Sequence, residues 1–141
     1  MAPPLTPVAS KDARAIIAGL KGTPTAPDHT AVPSVAFTNP PIASVGFHEA
    51  EARQAGRAVR VKSADASDWF TARHLAAPVY AYKTIADEGS GRILGAHLVG
   101  PHAEDVINLF ALAIREGMTG RDLSDVTFAY PTAGSDLSSM V

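Results

Sequence analysis

Two strand-like segments joined by a short polar turn constrain this fold more than any other feature. Residues 78–86 and 92–99 are rich in β-branched and aromatic side chains, and the run Asp87-Glu-Gly-Ser-Gly91 separates them. Glycine, serine and aspartate are the residues that tight turns favour. The pattern therefore predicts a β-hairpin with a solvated tip.

The segment that follows this hairpin has the pattern of an amphipathic helix. Apolar residues recur at helical spacing from Ala103 to Ile114, and Gly117 is expected to end the helix. Leu109 and Leu112 widen the apolar face beyond what one sheet surface needs. We expect such a helix to be enclosed in a core or shared with a second molecule.

The other periodic segments are short. We predict strands over residues 34–38, 43–47 and 57–62, a helix over 49–55 and a short helix capped by Thr119. Residues 63–74 have no decisive pattern. Because the elements lack a regular βαβ order, the predicted fold class is α+β, an antiparallel β-sheet covered by helices.

The composition excludes several classes of function for this chain. The 141 residues carry a net charge of −2, which argues against a nucleic-acid partner or an anionic membrane surface. The chain has no cysteine, which excludes disulfides, thiolate metal sites and cysteine nucleophiles and fits a cytoplasmic protein. No apolar run approaches membrane-spanning length, and the first residues do not resemble a signal peptide.

The N-terminal region differs from the rest. Residues 5–21 have helical spacing, with Thr6 as the expected cap and Pro7 in the first turn. Residues 22–33 contain three prolines and a glycine, which favours a linker. The predicted organisation is therefore a terminal helix (1–21), a linker (22–33) and one main domain (34–141).

Five segments, in order, resemble the C-terminal dimerisation domain of the pyridine nucleotide-disulfide oxidoreductases, the family of glutathione reductase, mercuric reductase and dihydrolipoamide dehydrogenase. They are residues 32–46, Glu49-Ala-Glu-Ala52, Arg92-Ile-Leu-Gly-Ala-His-Leu-Val-Gly-Pro101, the helix at 103–117 and Tyr130-Pro-Thr132. The resemblance implies the C-terminal part of a longer enzyme that uses FAD and NAD(P)H. We expect no bound cofactor and no activity for this chain alone.

The resemblance also implies partners. Residues 1–21 correspond to the last helix of a preceding FAD-binding domain, in which Leu5 and Thr6 would contact the flavin. The main domain would form a homodimer. We expect part of the apolar face at 103–114, or the strand face carrying Tyr80 and Tyr82, to be shared between subunits.

The resemblance places Tyr130 where the family has the histidine of a His-Pro-Thr motif, and Ser135 where it has the glutamate that orients this histidine. Pro131 would lie near the partner's flavin, after a cis peptide bond. A tyrosine ordinarily titrates near pH ~10 and a histidine near ~6.5. A phenol is therefore poorly suited to proton transfer at neutral pH, which argues against glutathione-reductase-like chemistry.

Alternatives remain open at these positions. Tyr130 is either a core or interface aromatic or a residue with a catalytic or substrate-contact role in the parent enzyme, in which Ser135 would be the second catalytic candidate. Asp136 either replaces the missing glutamate or, with Ser135, caps the final helix.

The histidines do not form a recognisable metal motif. His97 and His102 are possible ligands, but no third ligand stands at a typical spacing, so no metal is predicted. We expect His29 in a loop, His48 as a helix cap and His74 on the surface.

The alternative functions are a small-ligand cleft near Tyr130 and a stand-alone dimeric interaction module without a redox role. A ligand that raises the unfolding temperature would favour the first.

Overall fold

The computed structural model describes residues 4–141, so the first three residues of the predicted N-terminal segment lie outside the described residues. The chain divides into two compact units, the first ending at Val32 and the second comprising Pro33–Val141. Among the described residues, no helix is long and apolar enough to cross a membrane.

The first unit contains helix α1, Thr6–Leu20, and the loop after it. The expected cap at Thr6 is wrong, since Leu5 is the N-cap and Thr6 is the first helical residue. Val8 is buried, whereas the side chains near the end of the helix are exposed: Ile16, Ile17 and Leu20.

The loop of the first unit is fastened to α1 by two polar contacts. The Lys11 Nζ donates a hydrogen bond to the Asp28 carbonyl at 3.1 Å, and His29 Nε2 lies 2.7 Å from Asp12 Oδ1. His29 is thus a loop residue, as expected, with an acidic partner.

The second unit contains a five-stranded antiparallel sheet with strand order β1-β2-β5-β4-β3. The strands are β1 Ser34–Ala36, β2 Ile42–Gly46, β3 Val59–Asp65, β4 Ala81–Asp87 and β5 Ile93–Val99. The helices are α2 Glu49–Gln54, α3 Phe70–His74, α4 Ala103–Arg115, α5 Gly120–Ser124 and α6 Leu137–Met140, with a 3₁₀ turn at Ala133–Asp136. The predicted fold class is therefore confirmed.

One face of this sheet is covered by α4 and α6. Ala43, Val45, Ala96 and Leu98 alternate along β2 and β5, are buried, and lie on the strands that α4 contacts. The register places Tyr82 and Thr84 of β4 on the same face, and α6 contacts β4.

The opposite face is covered in part by α2. Ala52 of α2 is fully buried with Val59 and Ile85, and Phe47 packs against this cluster. Residue His48 is the N-cap of α2, as expected.

The hairpin and the long helix are confirmed with small shifts in their limits. β4 and β5 pair antiparallel around a tip whose residues 88–90 are exposed, and α4 ends two residues before Gly117. Of the apolar residues of α4, five are buried: Ala103, Val106, Ile107, Phe110 and Ala113. Leu112 is 54% exposed.

The expectation that Tyr80 and Tyr82 form a face shared between subunits is wrong. Tyr80 is 2% and Tyr82 6% exposed within this chain, because its own C-terminal segment covers them. The apolar face at 103–114, by contrast, has an exposed side chain, Leu112.

Candidate functional site

Tyr130 lies in the loop between α5 and the 3₁₀ turn, and its side chain is 79% exposed. A core position for this residue is therefore wrong. Its ring centroid is 6.4 Å from that of Phe70, which is itself half-exposed. The ring is thus presented at the surface beside a second aromatic side chain.

The loop around Tyr130 is held by short hydrogen bonds. The peptide bond between Tyr130 and Pro131 is cis, which confirms the expectation. The Thr132 hydroxyl donates to the Ala129 carbonyl at 2.6 Å and accepts from the Ser135 amide at 3.3 Å. These contacts order the backbone on both sides of Pro131.

The Ser135 hydroxyl is directed back at the same loop. It donates to the Thr132 carbonyl at 2.6 Å and accepts from the Thr132 amide at 3.3 Å. Together with the Thr132 hydroxyl it forms a reciprocal cap for the 3₁₀ turn.

Asp136 contacts Tyr80 and not Tyr130, the tyrosine that lies near it in the sequence. Its Oδ2 accepts a hydrogen bond from the Tyr80 hydroxyl at 2.9 Å. Asp136 is the N-cap residue of α6, but its side chain makes no capping hydrogen bond there, so the expected capping role is wrong. Burial of Tyr80, with a further contribution from the Asp136 charge, raises the pKa of the Tyr80 phenol.

Helix α3 contributes neighbours that the sequence patterns did not reveal. The His74 ring stacks on Phe70 with centroids 5.4 Å apart, and Phe70 in turn lies beside Tyr130. His74 is exposed, as expected. Residues 63–74 had no decisive periodicity, so only the three-dimensional contact identifies this aromatic group.

A cleft of about 570 Å³ adjoins the Tyr130 loop. Its walls come from α4 and from the loop: His102, Asp105, Val106, Leu109, Pro131, Thr132, Ala133 and Gly134. The cleft combines apolar side chains with an imidazole and a carboxylate, which is the usual make-up of a small-ligand site.

His97 and His102, the two possible metal ligands of the sequence, lie among different neighbours. His102 is the N-cap of α4, and its ligand atom lies within 4.8 Å of those of Glu104 and Asp105. Carboxylates in a first helical turn are also favoured by the helix dipole. His97 instead stacks on His48 with ring centroids 4.3 Å apart.

His97 belongs to a polar cluster on the second face of the sheet. Its Nε2 lies 3.2 Å from the Phe47 carbonyl, and burial lowers the pKa of its imidazole. Beside it, the Glu49 carboxylate lies 2.6 Å from Lys83 Nζ and 3.2 Å from Arg53 Nε, and these contacts lower the pKa of Glu49.

Leu5 and Thr6 lie at the start of α1 in the first unit. Within residues 4–141, no side-chain hydrogen bond caps this helix end, and its first turn has no acidic residue. The amides there are consequently left to other acceptors.

Residues 32–141 match the family model for the pyridine nucleotide-disulphide oxidoreductase dimerisation domain. The chain is 43% identical over 139 residues to an uncharacterized 19.7 kDa protein of a mercuric resistance operon in Staphylococcus aureus, covering 98% of this chain and 77% of that protein. It is 37% identical over 133 residues to dihydrolipoyl dehydrogenase of Haloferax volcanii, covering 92% of this chain and 27% of the enzyme.

Solved structures agree with this match. The HOCl-induced flavoprotein disulfide reductase RclA from Escherichia coli superposes with a TM-score of 0.83 at 27% identity, over 92% of this chain and 30% of that one. The fold and the sequence thus define a dimerisation domain. The chain belongs to the pyridine nucleotide-disulphide oxidoreductase dimerisation-domain family.

Proposed function

We propose that this chain is the C-terminal dimerisation domain of a cytoplasmic FAD-dependent, NAD(P)H-linked oxidoreductase. In this proposal it forms a homodimer and places Tyr130-Pro131-Thr132 near the flavin of the partner subunit. The observation that carries the proposal is the Tyr130 side chain, 79% exposed on a loop with a reciprocal hydrogen-bonded cap. An exposed aromatic on an ordered loop suits insertion into another molecule.

The side chain of Tyr130 limits the chemistry that we assign to this loop. A phenol supplies a ring for packing and one hydroxyl for hydrogen bonding, whereas an imidazole exchanges protons near neutral pH. We therefore assign Tyr130 a substrate or acceptor contact.

We assign residues 1–21 to the last helix of a FAD-binding domain, with 22–33 as a linker and 34–141 as the dimerisation domain. The uncapped first turn of α1 fits a contact with the flavin, since helix N-terminal amides favour negative charge. Bound FAD would take hydride from NAD(P)H, and Leu5 and Thr6 would lie beside its ring. The exposed Ile16 and Leu20 would then pack against the rest of that domain.

Solution mass tests the homodimer directly. Size-exclusion chromatography with light scattering of a concentrated sample should give twice the 14.6 kDa of the chain. A mass of 14.6 kDa at the highest soluble concentration would contradict the proposal that this domain dimerises by itself.

The cleft beside Tyr130 favours a second candidate function, the binding of a small molecule. Its lining offers His102 and Asp105 as polar contacts and Val106, Leu109 and Pro131 as apolar ones. A thermal-shift screen tests this reading, because a ligand at 100 times its Kd stabilises the folded state by about 2.7 kcal/mol. A hit that the Asp105→Ala variant no longer binds would support the cleft, and a screen without hits would argue against it.

A further inference from the structure

We propose that Tyr80 is a positioning residue that holds the Tyr130 loop in place through Asp136. The inference deepens the proposed function and rests on it for the purpose of the loop. Tyr80 and Asp136 are 56 positions apart in the sequence, yet the Tyr80 hydroxyl donates a hydrogen bond to Asp136 Oδ2 at 2.9 Å. A hydrogen bond to a charged acceptor is stronger than one between neutral groups.

The Tyr80 ring is itself fixed, which a positioning residue requires. It is 2% exposed, and the Trp69 ring meets it edge-on with centroids 6.1 Å apart. On another side lies Gly100, where an added Cβ would overlap the Tyr80 ring. The hydroxyl therefore has little freedom to leave Asp136.

A hydrogen-bonded turn connects Asp136 to the Tyr130 loop. Asp136 is the last residue of the 3₁₀ turn, and the Ser135 and Thr132 side chains bind each other's backbone at its start. Pro131 follows Tyr130 directly and fixes its own backbone angle φ. The hydrogen bond from Tyr80, the residue directly before β4, to Asp136 thus anchors the loop that presents Tyr130.

The same contact gives Asp136 a role other than proton exchange. Its Oδ2 is occupied by the Tyr80 hydroxyl, and the raised pKa of Tyr80 keeps that phenol protonated and donating. Asp136 therefore acts as an anchor for the loop rather than as the partner of a catalytic residue at position 130.

The neighbouring Tyr82 supplies a matched control. Its hydroxyl donates to the Ser139 carbonyl at 3.2 Å, which holds α6 instead of the loop. Tyr80 and Tyr82 are both buried and both contact Trp69, so Tyr→Phe removes one hydroxyl from a similar environment in each case.

Amide hydrogen exchange of the whole chain, followed by NMR, tests the proposal. In Y80F, exchange at the Ser135 amide should accelerate about ten-fold, the factor expected for the loss of one hydrogen bond to a charged group. Amides of the β4–β5 ladder should change much less. In Y82F the Ser135 amide should keep its wild-type rate.

A second pair of variants approaches the contact from the other side. Asp136→Asn keeps a side-chain oxygen that can accept the Tyr80 hydrogen bond, and Asp136→Ala removes it. We expect D136A to reproduce the faster exchange at Ser135 and D136N to rescue most of the protection. If Y80F does not fold, D136A and D136N still test whether the contact between Tyr80 and Asp136 orders the loop.

Three results would overturn the proposal: unchanged exchange at Ser135 in D136A, equal effects of Y80F and Y82F, or a uniform acceleration across loop and sheet. The last result would mean that Tyr80 only contributes to global stability. Hydrogen exchange reports the order of the Tyr130 loop within one chain, whereas light scattering reports whether two chains associate. A negative result for the role of Tyr80 can therefore be told apart from a negative result for the homodimer.

Discussion

Tyr80 and Tyr130 carry the same side chain, and their surroundings give the two phenols different roles. Tyr80 is almost fully buried and donates its hydroxyl to a carboxylate, whereas Tyr130 presents most of its ring to solvent. Burial beside a negative charge makes the first phenol a permanent donor. Environment, more than residue type, therefore decides which tyrosine serves structure and which is available to a partner.

His97 should make stability depend on pH. Burial lowers the pKa of its imidazole, assisted by the nearby charges of His48 and Lys83 and opposed by its hydrogen bond to Phe47. As pH falls below about 6.5, the unfolded chain takes up a proton that the folded chain resists. The free energy of unfolding should therefore decrease between about pH 7 and 5.

Urea denaturation across this pH range measures the effect of His97. H97Q removes the titrating group and should flatten the decrease, while H74Q, which alters an exposed histidine, serves as the control. An identical pH profile for H97Q and the wild type would contradict the assignment to His97.

Gly100→Ala should be strongly destabilising. The new Cβ would overlap the Tyr80 ring, and the backbone φ of +139° at Gly100 is one that alanine rarely adopts. We expect a loss of about 3 kcal/mol in the free energy of unfolding. Gly56→Ala is the matched control, because Gly56 also has a positive φ but has open space around it, and its cost should be about 1 kcal/mol. Equal costs would show that the contact with Tyr80 is unimportant.

At the scale of elements, α4 separates a core face from a surface face. Phe110 is fully buried and Leu112, two residues later, is 54% exposed. Phe110→Ala should cost about 3–5 kcal/mol through the lost contacts and the cavity, and Leu112→Ala should change stability by no more than about 0.5 kcal/mol. Chemical denaturation of both variants at a concentration where the chain is monomeric measures the difference. A large cost for L112A there would place Leu112 in the monomer core.

The elements with strong periodicity were predictable from the sequence. The hairpin and α4 combine regular spacing with glycines near their ends, and both appear with small shifts. The end of β3 was not predictable, because its last four residues are all exposed and are held by pairing with β4. Helix α3 is only five residues long, too short for a periodic signal.

The candidate site was predictable only in part. Tyr130, Pro131 and the cis peptide bond followed from the resemblance to the family. The Tyr80–Asp136 hydrogen bond joins residues 56 positions apart, and the contact between Phe70 and Tyr130 also joins distant segments, so neither leaves a local pattern in the sequence. Such contacts depend on the packing of the whole unit.

At the scale of the whole molecule, residues 33–141 bury a core without help from another chain. The largest fully buried side chains, Phe110, Ile85, Ile107, Leu137 and Met140, come from the sheet and from helices of this unit. A homodimer would therefore use surface side chains, and dissociation should not unfold the subunit. Circular dichroism on dilution should accordingly keep the spectrum of the concentrated sample, and a loss of helix signal on dilution would contradict this.

Sedimentation velocity on two charge-introducing variants tests the proposal that this domain forms a homodimer, and that the exposed edge of α4 around Leu112 lies in the interface. Leu112→Glu places a charge on that edge, and Phe37→Glu places one at an equally apolar site, 85% exposed, next to β1. We expect a dimer for the wild type and F37E and a folded monomer for L112E. A dimer that survives L112E but not F37E, or a wild-type chain that sediments as a monomer, would contradict the proposal.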